Sequence, residues 1–417
     1  MSDKYSVKKI SQIESSSDIL RLSAASTPGS HCPLFGVVMC APFISDLAII
    51  VLGETECCWN ATNQHLSQGE NNIFYTYCLD EMDVIYGVEQ GLTAAIQDLY
   101  KKQRFAAVMI VSSCIPELTG EDIEKISQNC NLPVQVLVAH TSHYNSTGYY
   151  QGIINFYNGL FPLISSVPSP NRNVAILGAR YKNVESSEIP LALRENGFGV
   201  YAPKSITDIK SLSSCALNLV VDVTALSFAE QIYSAYGVPF VRIDHLCCPD
   251  KILKAYSTID SILGSALLPS AQVQFKKTYK KALDIGGFWS TKRFICAAPF
   301  CLPFEMCEFF CSIGLIPEWL LARDIYSGDS DIINRLTKAG FDPPVSSFAS
   351  FGNFEEILSE LNFNLYFGNT RNISKIGTKA LIINPNLYSS MTGFAFPLAI
   401  LSEMETYAKG VHTCGVK

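Results

Sequence analysis

The chain has 417 residues, 48% of them hydrophobic and 17% charged, with a net charge of −7. That length exceeds one compact core, and the low charge content fits parallel sheets buried under helices. No Lys/Arg stretch interleaved with aromatics is present, which argues against nucleic acid as a partner. No apolar run approaches the length that crosses a bilayer, and the Met-Ser-Asp-Lys start lacks the apolar centre of a signal peptide, so a cytoplasmic protein that does not engage membranes is expected. The three Asn-x-Ser/Thr matches, at Asn60, Asn145 and Asn372, are then chance.

Residues 1–30 are polar and Ser-rich, with one short helix at most, and read as an extension that wraps the surface or a partner. Between residues 31 and 168, strand-like apolar runs at 47–52, 105–111 and 134–138 alternate with helical patterns at 87–100 and 120–129. That alternation predicts a first domain built on a parallel sheet. The stretch Ser165-Ser-Val-Pro-Ser-Pro-Asn-Arg reads as a linker.

A second α/β domain, 169–268, holds strands at 173–177, 198–201, 217–223 and 239–243 and a helix at 187–196. Residues 269–290 read as a helical connector, and 291–417 as a third α/β domain with strands at 293–297, 365–367 and 380–383 and a helix at 304–313. The expected fold class is thus α/β, with three doubly wound Rossmann-like domains and mostly parallel sheets. Neither Gly-x-Gly-x-x-Gly nor Gly-x-x-x-x-Gly-Lys-Ser/Thr occurs, so ATP hydrolysis is expected of another protein.

Fifteen cysteines are too few for a disulfide scaffold in a chain of this length, and metal ligation explains them better. Cys57 and Cys114 each follow a predicted buried strand, and Cys32 opens the first domain. Ligands bind at the carboxyl ends of strands in open parallel sheets. Thr119-Gly120-Glu121-Asp122 reads as a helix start just beyond Cys114, where a positive helix end favours thiolate. Three cysteines leave a cubane one ligand short, so either an oxygen ligand or water completes the set, or the cluster sits at a subunit interface. The bland alternative is three ordinary buried thiols.

Cys58 adjoins Cys57 and competes with it; the Gly53-x-x-x-Cys57 turn favours Cys57. His140, His245 and Cys247, all just past predicted strands, are weaker ligand candidates, and Cys307 and Cys311, one helical turn apart, read more simply as packed thiols. Glu117, Glu121 and Asp122 lie near Cys114, where carboxylates suit a first helical turn.

Five segments occur in order between Cys32 and Gly148: Cys32-Pro-Leu-Phe-Gly, Gly53-Glu-Thr-Glu-Cys57-Cys58, Asp83-Val-Ile-Tyr-Gly87, Ser112-Ser-Cys114-Ile-Pro-Glu-Leu-Thr-Gly120-Glu-Asp122, and Ala139-His140-Thr141 with Thr147-Gly148. Their order and spacing resemble the first domain of the nitrogenase component 1 family, most closely its beta-type subunit. The resemblance implies that Cys32, Cys57 and Cys114 hold an iron–sulfur cluster, either a 4Fe-4S cubane or a larger double cluster, shared at an interface. It also implies a paired component 1-type subunit, in a homodimer or a hetero-oligomer, and an ATP-dependent iron–sulfur reductase protein as electron donor.

The alpha-type subunit of that family holds its active-site metallocluster with a cysteine in the middle domain and a histidine in the last. The matching stretches here, Leu219-Val-Val-Asp-Val-Thr-Ala and Tyr388-Ser-Ser-Met-Thr-Gly393-Phe, have neither. The implied role is an electron-relaying oxidoreductase subunit. The alternatives are a scaffold for metallocluster assembly and a cluster-free binding protein for a chelate or small molecule.

Overall fold

The computed structural model describes residues 7–21, 32–68, 73–143, 148–166, 171–179, 183–244, 246–297, 302–322, 324–326, 328–347, 357–369 and 380–410. Among them the strands are β1 (Leu20–Arg21), β2 (Leu47–Gly53), β3 (Phe74–Cys78), β4 (Ala107–Ser112), β5 (Gln135–His140), β6 (Asn173–Leu177), β7 (Gly199–Tyr201), β8 (Leu217–Val220), β9 (Phe240–Arg242), β10 (Arg293–Ala297), β11 (Ile316–Leu321), β12 (Val345–Ser347), β13 (Leu365–Gly368) and β14 (Leu381–Ile383). They form three sheets ordered β3-β2-β4-β5, β7-β6-β8-β9 and β1-β12-β11-β10-β13-β14, and every ladder within them is parallel. Three doubly wound parallel sheets are the expected fold class.

By contacts the chain divides into two compact units. Residues 27–180 and 198–242 hold the first two sheets, and residues 1–26, 181–197 and 243–417 hold the third.

The first sheet positions the cysteines. Every residue of β2 and β4 is buried, as parallel strands covered on both faces require. Alternation along β2 sends Ile49 and Val51 into one core and Ala48, Ile50 and Leu52 into the other. The helices Pro33–Cys40, Thr55–Leu66 and Tyr149–Leu160 supply the first core, while Glu89–Lys102 and Ile123–Asn129 supply the second.

Two of these helices touch backbone to backbone. A Cβ added to Gly152 would stand 1.8 Å from the Pro33 carbonyl oxygen, and one added to Gly36 would stand 2.1 Å from that of Tyr149. Only glycine permits so close an approach.

Among the elements that the sequence pattern does not announce, three have definable reasons. Strand β3 is half-exposed along its whole length, so no apolar run announces it. Strand β11 contains Pro317, normally a strand breaker, and the β10–β11 register shifts between Phe294 and Ile295 beside it. Residues 7–21, read as part of a surface extension, place Ile10, Ile13 and Ile19 in the core of the third sheet's unit, and β1 pairs with β12.

Candidate metal centre

The chain enters the first sheet at β2, places β3 on one side and then β4 and β5 on the other. The direction of winding therefore reverses between β2 and β4, which opens a crevice at their carboxyl ends. Cys57 follows β2 and Cys114 follows β4. All three expected ligand cysteines stand at helix starts: Cys32 is the N-cap of Pro33–Cys40, Cys57 lies in the first turn of Thr55–Leu66, and Cys114 opens the short helix Cys114–Thr119. That helix begins earlier than the sequence suggests, and Asp122 caps the next one by accepting the Lys125 N–H.

The three sulfurs lie close enough to act on one another electrostatically. Burial raises the Cys32 pKa, and the charge of Cys114 pushes it the same way. For Cys57 burial is the largest cause, followed by Glu54 and then by the charges of Cys32 and Cys114. The principal charges acting on both thiols are therefore negative. Glu54, which the sequence reading passed over, ties the two strand ends together: Cys57 Sγ donates to its Oε1 at 2.8 Å and Ser113 Oγ donates to its Oε2 at 2.9 Å. The His143 N–H points at Cys114 Sγ, 3.4 Å away. The cue to Glu54 was present in sequence, a carboxylate immediately after the Gly53 turn.

Cys58 faces elsewhere. It is 2% exposed, its sulfur lies 3.5 Å from the Gly53 carbonyl oxygen and 3.8 Å from that of Tyr77, and burial followed by the charge of Cys78 pushes its pKa up to about 12. Of the adjacent pair, Cys57 is the one on which the charges of Cys32 and Cys114 act.

His140, the last residue of β5, has no ring nitrogen left for a metal. Nδ1 lies 3.3 Å from Glu117 Oε1, and Nε2 bonds Glu124. The same Glu117 oxygen accepts bonds from Ser112 Oγ at 2.5 Å and from the N–H groups of Thr141 and Ser142 at 3.0 and 3.3 Å. Burial alone would raise Glu117, but its bonds to His140, Ser112 and Ser142 hold it at about 2, while the bond to Glu117 raises His140 from its ordinary 6.5 to about 9. A raised histidine stabilises the fold fully below pH 6.5, and that contribution disappears as pH rises through about 9. Denaturant unfolding across that window should show wild-type stability falling, and His140→Gln should flatten the slope.

The weaker candidates separate. His245 lies outside the described residues, as do Cys301 and Cys414. Cys247 is fully buried in the core of the third sheet's unit. Its neighbour Cys248 lies within 4.8 Å of carboxylate oxygens of Glu305 and Glu308, but Lys251 and Arg335 already answer those charges. Cys307 and Cys311 are buried with sulfurs 3.8 Å apart, in keeping with packed thiols.

The family model for nitrogenase component 1 type oxidoreductases matches residues 32–392. The chain belongs to the nitrogenase component 1 type oxidoreductase family. Its fold agrees, since the solved structure of nitrogenase Cp1 at pH 6.5 superposes with a TM-score of 0.76 at 15% identity, covering 94% of this chain and 95% of that one.

Similar relatives include the nitrogenase iron-molybdenum cofactor biosynthesis protein NifE of Rippkaea orientalis (strain PCC 8801 / RF-1), 34% identical over 106 residues, which are 24% of this chain and 23% of that protein. The nitrogenase molybdenum-iron protein alpha chain of Methanosarcina barkeri is 21% identical over 222 residues, 49% of this chain and 42% of that one. The chain thus spans between about a quarter and two fifths of the curated relatives it matches. These relatives are of the alpha and NifE kinds, whereas the motifs lean towards the beta-type. Members of the family bind metal clusters and work with a reductase partner. No helix among the described residues is long and apolar enough to cross a membrane.

Proposed function

We propose that this chain is the cluster-binding subunit of a nitrogenase-like two-component reductase, with Cys32, Cys57 and Cys114 as ligands. What supports the reading is that thiols from three separate segments lie near enough for their charges to act on one another, two of them just past β2 and β4, the strands between which the winding reverses. The donor set fits an iron–sulfur cluster. Soft sulfur donors stand at three helix starts, and the charges acting on Cys32 and Cys57 are chiefly negative, so a positive group would favour the thiolate form of these two. Bound there, a cluster supplies low-potential one-electron chemistry, fed by a separate ATP-dependent iron–sulfur reductase protein. Glu54 braces Cys57 against Ser113, and the His143 N–H stabilises negative charge on the Cys114 sulfur.

A shared cluster needs a second chain, and the surface next to the cysteines suits one. Trp59 lies on the helix of Cys57, Leu118 on the helix of Cys114, and Met82, Ile85 and Tyr86 on the helix Glu81–Tyr86 after β3; all five are at least 60% exposed. Apolar side chains left open in such numbers mark an interaction surface. The partner that matches is a paired component 1-type subunit, identical or different.

The similarity to NifE favours a second reading, a scaffold that holds a metallocluster in transit during cofactor assembly. A relay keeps its cluster through repeated reduction and oxidation, whereas a scaffold surrenders it to an acceptor protein.

The deciding experiment is iron and acid-labile sulfide content after anaerobic purification. A cubane or a shared double cluster gives roughly two to four irons per chain. Iron near zero overturns both readings and leaves a cluster-free binding protein.

A further inference from the structure

Two cysteines beside the proposed centre take no part in it. Along β3 the two-residue period turns Phe74, Thr76 and Cys78 to one face of the sheet. Phe74 stacks on His65 at 4.4 Å with the rings 9° from parallel, so that face is the one covered by the helix Thr55–Leu66. The helix and the strand run in opposite directions. From His65 back to Cys58 is about 10 Å along a helix, and from Phe74 forward to Cys78 is about 13 Å along a strand.

The two cysteines are thereby brought to the same end of the same packed pair. The Cys58 sulfur confirms the placement: it lies 3.8 Å from the carbonyl oxygen of Tyr77, the residue before Cys78, and 3.5 Å from that of Gly53, the ladder partner of Cys78. Cys58 is buried and Cys78 is exposed.

We propose that Cys58 and Cys78 form a redox dithiol, separate from the cysteine triad, that closes to a disulfide by exchange with a low-molecular-weight disulfide. The exposed Cys78 reacts first. Its sulfur attacks one sulfur of the small disulfide, the bond between the two small-molecule sulfurs breaks, and one small thiol leaves with a proton. The Cys58 sulfur then attacks the Cys78 sulfur of the mixed disulfide and expels the second small thiol. The two protein thiols lose two protons and two electrons, and the small disulfide gains them as two thiols. The new bond clips the helix that carries Cys57 to the edge strand of the sheet.

The test uses full-length, anaerobically purified protein, incubated with oxidised glutathione, alkylated, and mapped by mass spectrometry without reduction. The expected result is a peptide pair joined through Cys58 and Cys78. In Cys58→Ser, whose folding is checked by circular dichroism, a glutathione adduct should persist on Cys78 severalfold above the wild-type level. Equal adduct on Cys78 in both proteins, or a bond from Cys78 to any other cysteine, overturns the proposal. Should Cys58→Ser fail to fold, the exposed Cys78→Ser decides: Cys58 left unmodified supports the exchange route, and glutathione on Cys58 defeats it. The readout is a sulfur linkage and needs no iron, so it stands apart from the cluster reading.

Discussion

Replacing Cys114 with serine should strip the chain of most of its iron and of its low-potential electron transfer. The side chain opens a helix at the carboxyl end of β4, and the His143 N–H points at its sulfur. Serine keeps the size of the side chain but replaces a soft sulfur donor with a hard, poorly ionised hydroxyl. Loss of an outer partner alone weakens metal sites about 10–100-fold, so loss of a ligand should cost at least as much. The fold should survive, because Cys114 lies outside the core and its helix has only six residues. The measurement is iron and sulfide content with an anaerobic redox titration, set beside a thermal melt. Iron content and potential both unchanged in a folded variant would remove Cys114 from the centre, and with it the relay.

Gly152→Ala should be the most damaging small substitution in the first sheet's unit. The added Cβ would lie 1.8 Å from the Pro33 carbonyl oxygen and 2.6 Å from its carbon, both rigid backbone atoms. The helix Pro33–Cys40 must then move off Tyr149–Leu160, at a cost of about 3 kcal/mol, near the upper end for overpacked cores. Cys32 precedes Pro33 directly, so the same displacement should disturb the proposed centre. Gly287→Ala is the control. It lies in the helix Leu268–Trp289 with nothing within 4 Å of the added carbon, and should be neutral or stabilise by up to about 1 kcal/mol through helix propensity. Chemical unfolding of the two variants measures the contrast, and equal stability would show that the helix pair yields easily.

Cys32, Cys57 and Cys114 could be singled out from the chain alone, because each stands in a distinctive local word and two of them follow unmistakable buried strands. Strands such as Asn173–Leu177 and Arg293–Ala297 were equally legible, since a strand buried on both faces is a continuous apolar run.

Glu54 and Glu117 were not legible in their roles. A carboxylate in a first helical turn is favourable wherever it occurs, and only the approach of β5 to β4 makes Glu117 a hub for Ser112, His140, Thr141 and Ser142. The Gly53 turn favours Cys57 over Cys58 in sequence, but the direction in which each of the pair faces is set by packing. Neighbours on a helix point about 100° apart, and which of them faces the crevice depends on how the helix Thr55–Leu66 lies on the sheet.

The sequence by itself determined the fold class, the three parallel sheets and the cysteines worth attention, because burial, strand length and helix starts are written in local pattern. The tertiary structure alone decided the strand order β3-β2-β4-β5 and the crevice it opens between β2 and β4. It also decided the contact between Gly36 and Gly152 with its partner helices, and the facing of Cys58 towards β3. Each of these depends on which distant segments become neighbours, and strand order and helix docking are set by packing across the whole core rather than by any short stretch of residues.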